Sequence, residues 1–290
     1  MIPAVMAGLK LPSRAGELIR SLSALLIVAF SSLYLHAQSP TDARGTQTHS
    51  QSADGEAEAT KFVNALVNVS RQWFDQKLST PGATAAVQET SRSTSDGLLV
   101  VKYEVHVKGA PKDQTYTYLH WPINAREPVE DLSGLSIAAD GLVVCAGRTP
   151  EQCGTPDKPD DPVDFTFAPA KGEPFRMALV SADGHSKVMF AVVPDPIVAA
   201  DKSCSLEIIR LLPRFDAVLI RGKGYKPNET LSFASKSYDE RHDWQPKADA
   251  DGRYDAALMP FVKGKQSGKT DVTLKGENCA PRVSFEWGKQ

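Results

Sequence analysis

The sequence predicts a mainly β protein: two β-sandwich domains, with one amphipathic helix before the first. Three observations carry this. From residue 97 to the C-terminus, apolar residues recur at every second position in run after run. Turn-forming pairs, Asp140-Gly141 and Asp183-Gly184 among them, separate those runs. Only the stretch Glu56 to Ser79 shows the helical period instead. Alternation marks a strand with one buried face, and Asp-Gly between two such strands is a strong hairpin signal.

The elements follow in chain order. Lys10, Arg14 and Arg20 precede the apolar run SLSALLIVAFSSLYLHA, and a polar tail follows it. This pattern predicts a secretory signal peptide over residues 1–37, cut near Ala37. The run is shorter than the ~20 apolar residues a membrane span needs, and it carries four serines. A retained N-terminal anchor is the alternative. No other stretch is apolar enough to span a bilayer, so no integral span is expected after cleavage. Residues 38–55 are rich in Ser, Thr, Gln and Asp, which predicts a disordered linker.

A first domain is expected over 56–196. Phe62, Leu66, Val69 and Trp73 share one helical face, with Glu56 and Glu58 near the positive end of the dipole and Lys77 near the negative end. Pro81-Gly82 should stop the helix. Its apolar face should pack on a sheet, although such a face can also receive a partner. In GLLVVKYEVHVKG, Leu99, Val101, Tyr103, Val105 and Val107 alternate with polar residues. DQTYTYLHWPI continues the alternation to Pro122. GLSIAADGLVVCAG and FRMALVSADGHSKVMFAVV each read as a hairpin, and the Pro- and Asp-rich GTPDKPDDPVD lies between them as a loop. VPDPIVAADKSC reads as the boundary between domains. Over 203–290, six short runs separated by turns follow: SLEIIRLL, FDAVLIRG, ETLSFASKS, GRYDAALM, KTDVTLKG and PRVSFEWG. Six strands in so short a segment predict a second sandwich.

Within that segment, IRGKGYKPNETLSFAS imitates a nucleotide loop. A phosphate-binding glycine run must lead into a helix whose N-terminus holds the anion. Here Pro227-Asn228 makes a turn, and Leu231 and Phe233 alternate as in a strand. Gly222 and Gly224 are therefore expected only to bend the chain.

GKGYKPNETLSFASKS, DADGRYDAAL and SGKTDVTLKG together resemble bacterial extracellular immunoglobulin-like domains, the IPT-like kind included. The resemblance covers about residues 205–288. It implies an immunoglobulin-like sandwich in a protein of adhesive, structural or accessory role, and no particular ligand. The antibody-type Cys–Trp–Cys arrangement is absent from the pattern, and Cys204 and Cys279 fall outside the predicted strands.

Four cysteines, Cys145, Cys153, Cys204 and Cys279, suit an exported, oxidising setting. Three pairings are open, and the sequential one is the simplest. In the loop-entropy picture the Cys145–Cys153 bridge would contribute roughly 2.6 kcal/mol and Cys204–Cys279 roughly 4.5. Zinc needs clustered ligands such as CxxC, which the sequence lacks.

Charge excludes one partner class. Lys+Arg total 33 against 35 Asp+Glu, so nothing attracts nucleic acid. No HExxH, GxSxG or SxxK occurs, and neither a metal nor any other cofactor is expected. Asp249, Asp251 and Asp255 imitate the start of an EF-hand, but the twelfth position is Pro260 where a bidentate Glu is required. Asp157, Asp160, Asp161 and Asp164 form an acidic loop. Tyr116, Tyr118 and His120 share one face, with Trp121 adjacent, and offer a candidate sugar-stacking surface; packing into the core is the competing fate. The expected function is an exported, non-enzymatic binding or structural role, in the periplasm or outside the cell. The alternative is a carbohydrate-binding or carbohydrate-active envelope protein. Partners would be a cell-envelope protein or a polysaccharide.

Overall fold

The computed structural model describes residues 64–288 apart from 124, 126 and 146–161, together with Lys61. The expected signal peptide and linker, Phe62, Cys153 and most of the acidic loop lie outside the described residues. The chain is mainly β, with one helix among the described residues, α1 (64–74).

Eight strands form the first half: β1 (Thr84–Ser95), β2 (Leu98–Lys108), β3 (Tyr116–Trp121), β4 (Val129–Ile137), β5 (Val143–Cys145), β6 (Phe165–Phe167), β7 (Phe175–Ser181) and β8 (Lys187–Val192). They make a three-stranded sheet, β1-β2-β6, and a five-stranded sheet, β5-β4-β3-β7-β8. Every pairing is antiparallel. Val101, Tyr103, Val105 and Val107 point inward from β2, as their alternation predicts, and meet Tyr116, Tyr118, Leu135 and Leu179 of the other sheet. Full burial of such a side chain is worth about 1.5–3 kcal/mol, so this shared face organises the sandwich. Both expected hairpins form. Leu135 pairs with Cys145 around Asp140-Gly141, and Val180 with Lys187 around Asp183-Gly184.

Eight more strands follow: β9 (Ile197–Asp201), β10 (Cys204–Arg210), β11 (Val218–Lys223), β12 (Ser232–Ser237), β13 (Glu240–Trp244), β14 (Tyr254–Leu258), β15 (Gly268–Lys275) and β16 (Arg282–Trp287). Their sheets run β14-β11-β10-β9 and β13-β12-β15-β16. A second core lies between them, built on Leu206, Ile208, Ile220, Phe233, Leu274 and Phe285. The stretch expected to be a boundary contains a strand, since Ile197–Asp201 pairs with β10. The glycines of the nucleotide-like loop lead into a turn and then β12, as expected. Gly224 has φ +83°, and a Cβ there would lie 2.0 Å from the Ser203 carbonyl oxygen.

Cys204 and Cys279 form a disulfide with Cα atoms 6.1 Å apart, 75 residues apart in sequence. Both are buried. Cys204 is the first residue of β10 rather than outside the strands, so the bond ties a core strand to the turn before β16. Cys145 is also disulfide-bonded. Such bonds persist in oxidising surroundings.

Helix α1 does more than cover one sheet. Val67 and Phe74 pack on the outer face of the β14-β11-β10-β9 sheet, against Ile209 and Leu219. Trp73, on another stripe, packs at a 60° tilt on Trp121 of β3 with ring centroids 5.0 Å apart. One helix thus touches β3 of the first half and β10 and β11 of the second. It ends at residue 74, earlier than Pro81-Gly82 would require. Gln76 adopts φ +55°, and its carboxamide bonds the backbone N–H and C=O of Ala85 at 2.7 and 2.6 Å. That pair outcompetes another helical turn. No helix among the described residues is long and apolar enough to cross a membrane.

Candidate functional site

The expected aromatic surface does not form. A strand alternates faces, and the inner face of β3 is the core, so Tyr116 and Tyr118 are buried at 1% and 4% exposure. The Tyr116 hydroxyl donates to the Pro111 carbonyl at 2.6 Å, which satisfies its polar tip. The Tyr118 ring meets Phe165 edge-on, with centroids 4.8 Å apart. Burial raises both phenol pKa values. His120 lies on the same side at the strand's open end, half-buried, and its Nδ1 bonds the Asp131 carboxylate. Trp121 leaves on the opposite side toward Trp73. No ligand could stack on these four together.

The acidic candidates are dispersed too. Asp164 pairs with Lys102 at 2.9 Å on the surface. Asp249 Oδ1 accepts the backbone N–H groups of Asp251 and Arg253 at 2.9 and 2.8 Å, so it caps its own turn. Gly252 in that turn has φ +70° and packs against the Tyr225 backbone. Asp255 faces away toward two guanidinium groups. No group of three or more His, Cys, Asp or Glu among the described residues could hold a metal ion.

What the fold does assemble lies along one side of the second core. There β13 and β14, the end strands of the two sheets, both stop, and α1 runs beside β14. Trp244, the last residue of β13, stacks on buried Phe233 with centroids 3.7 Å apart. Its indole N–H donates to the Tyr254 hydroxyl at 3.0 Å. Burial raises the pKa of Tyr254, which keeps that hydroxyl a neutral acceptor. Asn64, Asn68 and Arg71 of α1 face Trp244, Tyr254 and Asp255 across an open recess of about 480 Å³. A second recess of about 470 Å³ continues past Trp244 to Arg241, His242 and Met259. Exposed Phe261 comes shortly after Met259 in the chain.

The recess floor is held by charge. Arg71 Nε donates to Asp255 Oδ2 at 2.8 Å, and Arg221 Nε to Asp255 Oδ1 at 3.4 Å. The Arg221 guanidinium also sits over the Phe74 ring, 4.5 Å from its centroid. Asp255 therefore joins helix to sheet. This surface combines an aromatic platform, amide side chains and anchored charges.

The sequence carries no local signal for it: Asp255 falls beside Asp249 and Asp251, whereas its partner Arg71 lies 184 residues away. Trp244 sits in ERHDW, whose exposed residues do not alternate. No family model matches the chain, and no curated protein matches its sequence.

Proposed function

We propose that this is an exported, non-enzymatic protein of the cell envelope with a binding or structural role. It has two immunoglobulin-like sandwich domains, divided near residues 193–196, just before β9. The observation that carries this reading is the helix clasp. Val67 packs on Ile209 and Leu219, while Trp73 packs on Trp121. A helix shared in this way fixes the surfaces of both sandwiches in one geometry, as a scaffold requires. The charged groups nearest the recess support the same reading, because Arg71, Arg221 and Asp255 serve to hold helix and sheet together. Contact with a partner falls to the Trp244 side of the second sandwich. Burial of Tyr116 and Tyr118 leaves the carbohydrate-stacking alternative without its main surface.

Cosedimentation tests the reading. The protein is incubated with insoluble peptidoglycan and, separately, with washed envelope membranes. Retention without turnover, weakened by Trp244→Ala and Phe261→Ser together, is the expected result. Release of soluble sugar or peptide fragments would refute the non-enzymatic reading. Absence of retention on both materials would refute the assignment to envelope contact.

A further inference from the structure

β1 is an end strand of its sheet, 12 residues long, and from Gln88 through Leu98 every residue is exposed. Proteins usually blunt such an edge with proline, lysine or brevity. TAAVQETSRSTS contains neither residue. Its only irregularity is a bulge between Glu89 and Ser91.

The outward-facing positions follow from the ladder. The backbone N–H and C=O of Ala85 bond the Gln76 side chain, so they point away from β2. The N–H of Val107, the residue opposite Ala85, bonds Gly141 and likewise turns away from β1. Alternation then puts Val87 and Glu89 outward with Ala85. The bulge adds one residue and shifts the phase, so Arg92 and Thr94 follow outward. Asp96 and Gly97, at φ +51° and +79°, close the hairpin.

This outward set is its own complement. In an antiparallel pair of two β1 strands centred between Thr90 and Ser91, Glu89 lies opposite Arg92 of the second copy. Arg92 lies opposite Glu89, and Val87 opposite Thr94. Each outward residue meets an outward residue, as a hydrogen-bonded ladder demands. The bulge makes this register possible, because without it Glu89 and Arg92 would face opposite edges. Within one chain these two side chains already pair, Arg92 Nε to Glu89 Oε1 at 2.8 Å and Nη2 to Oε2 at 2.7 Å, and Arg92 Nη2 also donates to the Pro194 carbonyl at 2.8 Å. Across the two-fold axis they would form a four-membered charge ring. Gln76 sets the limit: Ala85 is already occupied, so pairing spans residues 86–95.

We propose that two copies of this chain associate through their β1 edges, joining two three-stranded sheets into one six-stranded sheet. A foreign strand would not be selected by this symmetry, whereas a second copy is. Strand pairing over one edge is a small interface, so the dimer is reversible and fills at high concentration.

Sedimentation velocity from micromolar to near-millimolar concentration tests this on the chain purified with its disulfides intact. A monomer–dimer equilibrium is expected. Thr94→Pro removes only an outward N–H, so the ladder to β2 survives while dimerisation is lost. Glu89→Arg alone, or Arg92→Glu alone, sets like charges opposite each other twice per dimer and weakens association at least ~10-fold. The double exchange Glu89→Arg/Arg92→Glu restores it. Near-UV circular dichroism checks that each variant keeps the monomer fold. A wild-type chain monomeric throughout would overturn the proposal. So would a dimer that Thr94→Pro leaves intact, or one indifferent to single charge reversals.

Discussion

Asp255 can be probed with one conservative change, Asp255→Asn, which keeps size and shape and removes the charge. Side-chain exposure is 11% for Asp255, 8% for Arg221 and 41% for Arg71. The change leaves the Arg221 guanidinium buried without a carboxylate. Breaking a buried pair by removing one partner costs about 3–5 kcal/mol. Two features reduce this. The asparagine oxygen still accepts a hydrogen bond, and the Phe74 ring beneath Arg221 retains a cation–π contact worth about 0.5–1 kcal/mol. A loss of about 2–3 kcal/mol is therefore expected. Arg71 is much more exposed than its two partners, so Arg71→Met should cost only about 0.5–1 kcal/mol. Urea unfolding followed by tryptophan fluorescence measures both, with the slope unchanged. In the double variant, the Arg71 contribution should disappear as a coupling of the same size. The reasoning fails if Asp255→Asn costs under ~1 kcal/mol, or if Arg71→Met costs as much as Asp255→Asn.

Three other outcomes follow from the fold. Replacing Cys204 and Cys279 together by Ser should destabilise the protein by up to about 4.5 kcal/mol, a ceiling set by the loop the bond closes, and calorimetry should show unfolding at lower temperature. Gly252→Ala should cost at least ~1 kcal/mol, because φ is +70° and the new Cβ would lie 2.1 Å from the Tyr225 carbonyl oxygen; its denaturation midpoint checks this. Glu229 accepts backbone N–H groups from Glu277 and Lys226, which lowers its pKa below the ordinary 4.5. A depressed carboxylate stabilises above its unfolded pKa, and the gain is lost as pH falls through the folded value. Wild type should thus exceed Glu229→Gln in stability at neutral pH, with the gap closing only below pH 4.5.

Strands with one wet face and one dry face were legible because alternation is the direct imprint of that environment. β2, β3 and β16 all show it. β1 was not legible, since most of it is exposed on both faces and its sequence has nothing to alternate. A local signal was present all the same. Asp96-Gly97 is the same pair that marked the other hairpins, but it stood between a polar run and an apolar one. β13, with ERHDW exposed along nearly all its length, escaped for the same reason. β6 has three residues, too few for any period to register.

The aromatic stripe teaches a different limit. Spacing by two correctly placed Tyr116 and Tyr118 on one face, but spacing cannot say whether that face looks inward. Only the opposing sheet decides it, and that sheet includes β6, the short strand just after the Pro- and Asp-rich loop. The helix shows the same dependence on distant sequence. Its expected stripe of Leu66, Val69 and Trp73 captured the contact with Trp121. It omitted the Val67–Arg71–Phe74 stripe, because a single apolar face suffices for a helix on one sheet. A second stripe is needed only when another surface closes on the helix, and here that surface is the outer face of β10, β11 and β14. Ile209, Leu219 and Ala257 alternate with residues of the second core, so both faces of that sheet are apolar. A sheet apolar on both faces must be covered on both. The continuous run Val218-Leu219-Ile220 is where this demand was written in the sequence, and α1 is what answers it.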